Sequence, residues 1–372
     1  MNVHNSYKIS PQFDPWEAYS DIREFGKSQL TNIEFTTTTL CNMRCEHCAV
    51  GYTLSPKDPD ALPLSLLLKR LDEIPNLKAL SITGGEPILS RRSVKDYVLP
   101  ILKYAKDRNV YTQLNSNLTL ELSRYDEVYP LVDVLHVSHN WGTIDDFVEG
   151  GFSNMERKPS FEQREALFKR MITNAQELSK NGVFVSAETM LNKRTFPHLE
   201  KIYKQIVEEM RCARMECHPM YAVDWASNLP ALSTTELREA IHTLLDVRNE
   251  DVWMLFGTLP FYACSSNEED LSLLKRLRAE KNVTLRNDPD GRSRLNVNIF
   301  NGDIIVTDFG DVGPLGNVVN DTLLSAYDKW QKTSLAKSLS CHCPQVSCLG
   351  PNVLVKDMYY KDVDFLKRSS NL

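Results

Sequence analysis

Cys41-Asn42-Met43-Arg44-Cys45-Glu46-His47-Cys48 follows directly on the β-branched run Ile33-Glu34-Phe35-Thr36-Thr37-Thr38-Thr39-Leu40. A strand therefore delivers three thiols into one turn. Thiolates are soft ligands that suit zinc or an iron–sulfur cluster. A structural zinc site wants a fourth tetrahedral ligand, and His47 abuts Cys48, where neighbouring side chains rarely converge on one ion. Around a four-iron cube, three thiolates leave one iron without a protein partner. Spacing by itself leaves both readings open.

Outward from this turn, strand-like and helix-like segments alternate. The strand patterns are Ile33–Leu40, Leu77–Thr83, Val110–Asn115, Val132–Ser138, Val183–Leu191 and Ala213–Met220. Between them lie helical patterns at Leu64–Ile74, Val94–Arg108, Glu121–Leu131, Phe161–Asn181 and Phe196–Arg211. Such alternation predicts an α/β fold with a parallel sheet, whose chemistry gathers at the carboxyl ends of the strands. Those ends carry the cysteine turn, Gly84-Gly85-Glu86-Pro87, Asn115-Ser116-Asn117, Ser138-His139-Asn140, Ser186 with Glu188, and Glu216 with His218. Polar residues at so many strand ends describe one rim around one cavity. His136 and His139 fall on opposite faces of a strand, so at most one reaches that cavity. His218 reads either as a substrate contact or as a satisfied interior histidine, and Glu188 either as a cavity group or as half of a structural ion pair.

The remaining chain reads as an N-terminal arm or helix over 1–30, a core over 31–232, a helical connecting region over 233–294 and a smaller cysteine-rich region over 295–372. The last contains a hairpin pattern, Leu295–Thr307, turning at Phe300-Asn301-Gly302-Asp303, then a loop at Gly310–Asn317 and a helical pattern at Leu323–Leu339.

Composition narrows the function classes. Of 372 residues, 42% are hydrophobic and 25% charged, with no apolar run long enough to span a bilayer. The opening Met1–Lys8 has no basic segment leading into an apolar one, so a cytoplasmic location is expected. A net charge of −6 argues against nucleic acid as a partner. Six of the nine cysteines fall into two tight groups, which in a reducing compartment points to metal or redox work. Cys212 and Cys217 read as small buried hydrophobes.

Gly84-Gly85-Glu86-Pro87 alone could be an ordinary glycine-rich turn. Coupled to the cysteine turn one strand earlier, it resembles the radical S-adenosylmethionine (SAM) superfamily, whose diagnostic motifs are these two. The resemblance implies a partial (β/α)6 TIM-like barrel holding a [4Fe-4S] cluster and SAM. One electron from the cluster would cleave SAM to methionine and a 5′-deoxyadenosyl radical, which takes hydrogen from a substrate. It also implies roles: Cys41, Cys45 and Cys48 as cluster ligands, His47 against the adenine, and Gly84, Gly85, Glu86 and Pro87 receiving the methionine amino group. Asn117, Ser138 and Glu188 would meet ribose or carboxylate.

Cys341-His342-Cys343-Pro344-Gln345-Val346-Ser347-Cys348 is a second dense thiol group. With Gly302–Asp308 and Leu315–Val318 before it, this region resembles SPASM-type domains, which carry auxiliary iron–sulfur clusters. It departs from them at Thr307, where they have a cysteine. The combination most resembles the YfkAB-type radical SAM/CxCxxxxC-motif proteins. An auxiliary cluster on Cys341, Cys343 and Cys348 needs a fourth ligand, for which Cys264 is the candidate, and zinc remains open for this group. The expected partners are a peptide or small-molecule substrate and a reductase or flavodoxin-type electron donor, with no membrane. A non-catalytic iron–sulfur or zinc-binding protein for electron transfer or interaction, on the same barrel, is the competing reading.

Overall fold

Six strands carry the expected rim: β1 (Asn32–Thr36), β2 (Ala79–Thr83), β3 (Tyr111–Ser116), β4 (Val134–Ser138), β5 (Val185–Leu191) and β6 (Arg214–Pro219). In this computed structural model, which describes residues 7–309 and 312–369, they pair in that order and in parallel. Met1–Ser6, the loop start at Gly310 and Asp311, and residues 370–372 lie outside the description. Helices cover the outside. The longest, Phe161–Lys180, starts at a reciprocal capping box between Ser160 and Gln163.

The same sheet continues past β6, and this corrects the reading of 233–294 as a helical connection. That stretch holds two helices, Thr234–Val247 and Glu268–Ala279, and two further parallel strands, β7 (Trp253–Gly257) and β8 (Val283–Arg286). β7 is buried at every position, so it lacks the alternation that betrays a strand. The hairpin forms as expected from β9 (Arg294–Asn298) and β10 (Asp303–Ile305), with β11 (Gly316–Asn317) beyond it inside the expected loop. β9 adds to the free edge of β1 in parallel, so the cysteine-rich region is joined to the barrel through backbone ladders. The described sheet has eleven strands in the order β11-β10-β9-β1-β2-β3-β4-β5-β6-β7-β8.

Three helical expectations change for local reasons. The 94–108 helix begins earlier, at Arg91, and widens to a π turn at Val94–Val98 because Pro100 has no N–H to donate and crowds the preceding turn. The 121–131 helix resolves into two 3₁₀ turns, Leu122–Arg124 and Tyr129–Leu131. Between them Tyr125 is buried with its hydroxyl 3.2 Å from Ser116 Oγ, and Arg124 donates to the carbonyls of Ile88 and Leu89. The 323–339 helix breaks at Thr333, whose Oγ1 caps the second piece, Ser334–Ser338, by accepting from Ala336 N–H at 3.0 Å.

The N-terminal arm closes the amino end of the strands. Trp16, 2% exposed, packs with Ala79, Val134 and Trp253 at the starts of β2, β4 and β7, and its Nε1 donates to Ser81 Oγ at 3.0 Å. The arm also forms a short helix, Tyr19–Phe25. The opposite mouth is left to the cysteine turn.

Candidate functional site

β1 stops at Thr36, earlier than its β-branched run suggests, because after a last bond from Thr37 N–H to Thr83 O at 2.9 Å residues 38–40 leave the ladder for other partners. Thr38 Oγ1 and Thr39 N–H donate to Asp58, while Thr38 O accepts from Gly85 N–H at 2.9 Å and Leu40 O from Glu86 N–H at 2.6 Å. The Gly84–Pro87 turn is thus bonded backbone to backbone to the segment that leads into the cysteine turn. Gly84 has φ +146°, and a Cβ on Gly85 would stand 2.1 Å from Leu40 O and 3.1 Å from Cys41 Cβ. Only glycine lets the second strand's turn lie this close to the thiols.

Beyond the contacts of its sulfurs, among them Met43 N–H to Cys41 Sγ at 3.4 Å, the cysteine turn is pinned by other groups. Arg44 N–H donates to Gly151 O at 3.0 Å and Glu46 N–H to Gly150 O at 2.8 Å. Met43 is buried in the core beneath the turn, and the Arg44 guanidinium donates to the carbonyls of Cys41 and Met43. Burial pushes the Cys41 thiol up to about 12 and raises Cys45 and Cys48 as well.

All three thiols line one cavity of about 320 Å³ together with His47, Gly84, Gly85, Asn117, Ser138 and Glu188. His47 is oriented by Asn140, whose Oδ1 accepts from Met190 N–H and whose Nδ2 therefore donates to His47 Nε2 at 3.1 Å. Burial holds the His47 ring neutral, with a pKa lowered to about 4. The ring lies 5.5 Å from that of Trp141. Asn117 Nδ2 donates to Asn42 Oδ1 at 2.9 Å and lies 4.0 Å from Cys41 Sγ.

Glu86 and Pro87 depart from expectation, since neither lines the cavity. The Glu86 carboxylate is fully buried and turned inward, accepting from Ser116 Oγ at 2.9 Å and Asn117 N–H at 2.7 Å. It fixes the end of β3 against the second turn and offers nothing to a ligand. Burial raises its pKa to about 7 despite these bonds.

Of the strand histidines, His136 faces the cavity and His139 is buried outside it. Glu188 is both a cavity group and half of an ion pair, with His136 Nε2 at 2.9 Å as the partner. His218 also lines the cavity and is fully partnered, 2.8 Å from Glu216 Oε1 and 2.9 Å from Thr258 Oγ1. A Cβ on Gly257 would lie 2.1 Å from the His218 ring, so that glycine makes room for it. Burial opposes charging of His218, but Glu216 and Glu188 outweigh it and raise its pKa. Sequence reasoning missed Glu34, Gln113, Arg286, Asp288, Asp290, Arg294 and Asp308, which complete the wall. The available signal was period-two polarity inside otherwise apolar strands, as in Arg294, Asn296 and Asn298 of β9.

The second thiol group meets Cys264. Cys264, Cys341, Cys343 and Cys348 line one small pocket with Tyr262, Gly350 and Phe365. Cys343 and Cys348 face each other across a two-way backbone bridge, 2.9 and 3.2 Å. Gly350, with φ +72°, leaves room for Cys341 Sγ, which a Cβ there would approach to 2.0 Å. Among the described residues, no three His, Cys, Asp or Glu side chains gather tightly enough to clasp one ion. Tetrahedral zinc would require these thiols to draw together, whereas a cube takes one thiolate per iron. Cys212 and Cys217 are buried apart from both groups, as expected.

Residues 35–206 match the Radical SAM superfamily and residues 220–370 the YfkB-like domain. Over 362 residues the chain is 67% identical to YfkA of Bacillus subtilis (strain 168), covering 97% of both. The chain belongs to the radical SAM superfamily. Among solved structures, the radical SAM fold here resembles anSMEcpe with bound AdoMet, at 16% identity over 92% of each chain and a TM-score of 0.60. It also resembles Streptococcus suis SuiB bound to precursor peptide SuiA, at 14% identity over 90% of this chain and 73% of that one, with a TM-score of 0.55. Radical SAM proteins are enzymes that bind a [4Fe-4S] cluster and SAM. The residues present fit both groups: three thiols on one cavity wall, and a Gly84-Gly85 cradle that a Cβ would fill. Among the described residues, no helix is long and apolar enough to cross a membrane.

The cradle yields a prediction. Gly85→Ala forces apart two backbone segments that cannot rotate out of the way, and is expected to lower stability by about 1–3 kcal/mol and to weaken SAM binding. Gly313→Ala, which meets nothing within 4 Å, should leave both unchanged. Paired thermal melts and SAM titrations check this, and indistinguishable variants would refute it.

Proposed function

We propose that this chain reductively cleaves SAM at a [4Fe-4S] cluster held by Cys41, Cys45 and Cys48, and that the 5′-deoxyadenosyl radical so formed abstracts hydrogen from a peptide or small-molecule substrate. The observation that carries this reading is the backbone bonding of Gly85 and Glu86 to Thr38 and Leu40, the residues that lead into the cysteine turn, at the rim of a single cavity. The bound cluster and SAM supply the electron and the radical precursor. The chain's own residues do the rest: His47, set by Asn140, presents a neutral ring for the adenine, and Gly84 and Gly85 offer backbone to the methionine end. Asn117 and Ser138 offer polar groups at the rim, and the buried wall excludes water. SuiB, which shares the fold, is bound to a precursor peptide, which supports a peptide among the candidate substrates.

We assign an auxiliary iron–sulfur cluster to Cys264, Cys341, Cys343 and Cys348, on the strength of their shared pocket. An external reductase or flavodoxin would supply electrons.

Anaerobically reconstituted protein given SAM and dithionite is expected to release methionine and 5′-deoxyadenosine and to carry about eight irons per chain, against about four for a single four-iron cluster. Cys264→Ser should lower the iron content while retaining 5′-deoxyadenosine production at the first cluster. Intact clusters without any 5′-deoxyadenosine would sink the enzyme reading. Unchanged iron in Cys264→Ser would remove that residue from the auxiliary site.

A further inference from the structure

Beside the SAM cradle, the cavity wall is built from β1, β9 and the segments following β8 and β10. Six carboxylates line the cavity against two guanidinium groups. Both guanidiniums are already taken. Arg286 pairs with Asp14 at 2.8 Å and Glu216 at 2.5 Å, and Arg294 pairs with Asp290 at 2.5 Å and Glu34 at 3.5 Å. Asp308 receives only the neutral Asn296 amide, at 3.0 Å, and Asp288 a backbone N–H from Asp290, at 3.1 Å. Neither forms an ion pair within 4 Å among the described residues, although Arg294 acts on both from further away and Asp288 also receives the Asn352 side chain.

The unpartnered polar atoms here point the same way. Asn296 is 2% exposed, and its Nδ2 serves Glu34 and Asp308, which fixes its Oδ1 as an acceptor with no donor. His136, 5% exposed, gives its Nε2–H to Glu188, and its Nδ1 makes no hydrogen bond but lies 3.9 Å from Glu216 Oε2. Gln113, 7% exposed, lines the cavity with a bare Oε1. The two amide oxygens, Asn296 Oδ1 and Gln113 Oε1, are idle acceptors, so what this wall lacks is donors.

The approach to the cavity has the same sign. A groove of about 480 Å³ shares Ala49, Val50, Thr83, Gly84 and Asp308 with it, and its charged lining consists of Asp224, Asp303 and Asp308, with no base. Charges of one sign along a concave path raise the local concentration of oppositely charged ligands.

Taking the SAM-cleaving reading as given, we propose that the substrate carries a positively charged amine or guanidinium group, which enters along the Asp224–Asp303–Asp308 groove and docks between Asp308, Asp288 and Glu34. Burial, reinforced by neighbouring carboxylates, raises Asp288 to about 6 and Asp308 to about 7. A bound cation would relieve that penalty and satisfy the idle acceptors.

The test is anaerobic calorimetric titration of the full, cluster-loaded chain with SAM already saturating, so that probes cannot report on the cofactor site. The probes are agmatine, the blocked tripeptide acetyl-Ala-Arg-Ala-amide, and its uncharged citrulline counterpart. Binding of agmatine, of the arginine peptide or of both, without binding of the citrulline peptide, is expected; agmatine alone would indicate a free small cation and the peptide alone a side chain. Asp308→Asn and, independently, Asp288→Asn should weaken that binding on the order of 30-fold. No binding of either cation, equal binding of the citrulline peptide, or undiminished binding in both variants overturns the proposal. SAM affinity on the same preparations reports separately: its loss in the wild type would count against the SAM-cleaving reading, not against the cation site.

Discussion

Cys45→Ser is expected to reduce 5′-deoxyadenosine production to the background of protein without cluster, while the fold survives. The shape of the cysteine turn rests mainly on groups other than the Cys45 sulfur. It is tied down by the Arg44 and Glu46 amides on Gly151 and Gly150, by the Arg44 guanidinium on two carbonyls, and by Met43 in the core. Glu46 adds an ion pair to Arg194. A serine hydroxyl is a hard, weakly acidic ligand for iron, so the substitution removes one of three anchors from the cluster and little from the chain. The expected signature is therefore split: loss of the cluster's visible absorbance and of SAM cleavage, with an unchanged circular dichroism spectrum. Turnover at the wild-type rate would mean that other thiols hold the cluster. A variant that merely unfolds would show both losses together and would implicate the turn in stability instead.

What could be read from sequence divides along the same line. The cysteines and the Gly84-Gly85 pair could be singled out because their chemistry admits few substitutes: thiols are soft metal ligands, and a Cβ on Gly85 would stand 2.1 Å from a carbonyl oxygen. Cys264 could be named because a thiol is rare enough to stand out. The first six strands showed because their ends are punctuated by polar residues. β7 was hidden by burial on both faces, and β8, only four residues long and half-buried throughout, gives too short a pattern to read. The parallel pairing of β9 with β1 joins residues more than 250 positions apart, and nothing local signals it. Glu86 was misplaced for a related reason. Its motif position pointed toward the ligand, but Ser116 and Asn117, on another strand, turn its carboxylate inward. Asp288 and Asp308 resemble solvated loop acids until the fold sets both against one cavity.

Glu216→Gln is expected to lower folding stability at neutral pH by about 3–5 kcal/mol, because it strips the ion-pair partner from buried Arg214 and one of the two from buried Arg286. Glu216, 2% exposed, meets Arg286 Nη1 at 2.5 Å, Arg214 Nη2 at 3.0 Å and His218 Nε2 at 2.8 Å. Arg214 is wholly buried with its guanidinium 4.7 Å from the Trp253 ring centroid. Glutamine keeps the shape but offers half the acceptors and no charge. The pH dependence separates this electrostatic loss from a packing defect. Burial alone would push the Glu216 carboxyl up, but Arg286 and Arg214, with the His218 hydrogen bond, hold it well below the usual carboxylate range. A depressed folded-state pKa contributes stability that is fully present above the unfolded value, about 4.3, and is lost as pH falls through and below it. Urea denaturation should therefore show the wild type losing stability with acid below about pH 4.3. The Glu216→Gln protein, already without that contribution, should follow a flatter curve and approach the wild type there. A constant gap at all pH values would assign the cost to packing. Because Glu216 also holds His218 against the cavity, the variant should loosen a wall of the radical site without touching the thiols, lowering turnover while the cluster's absorbance stays intact.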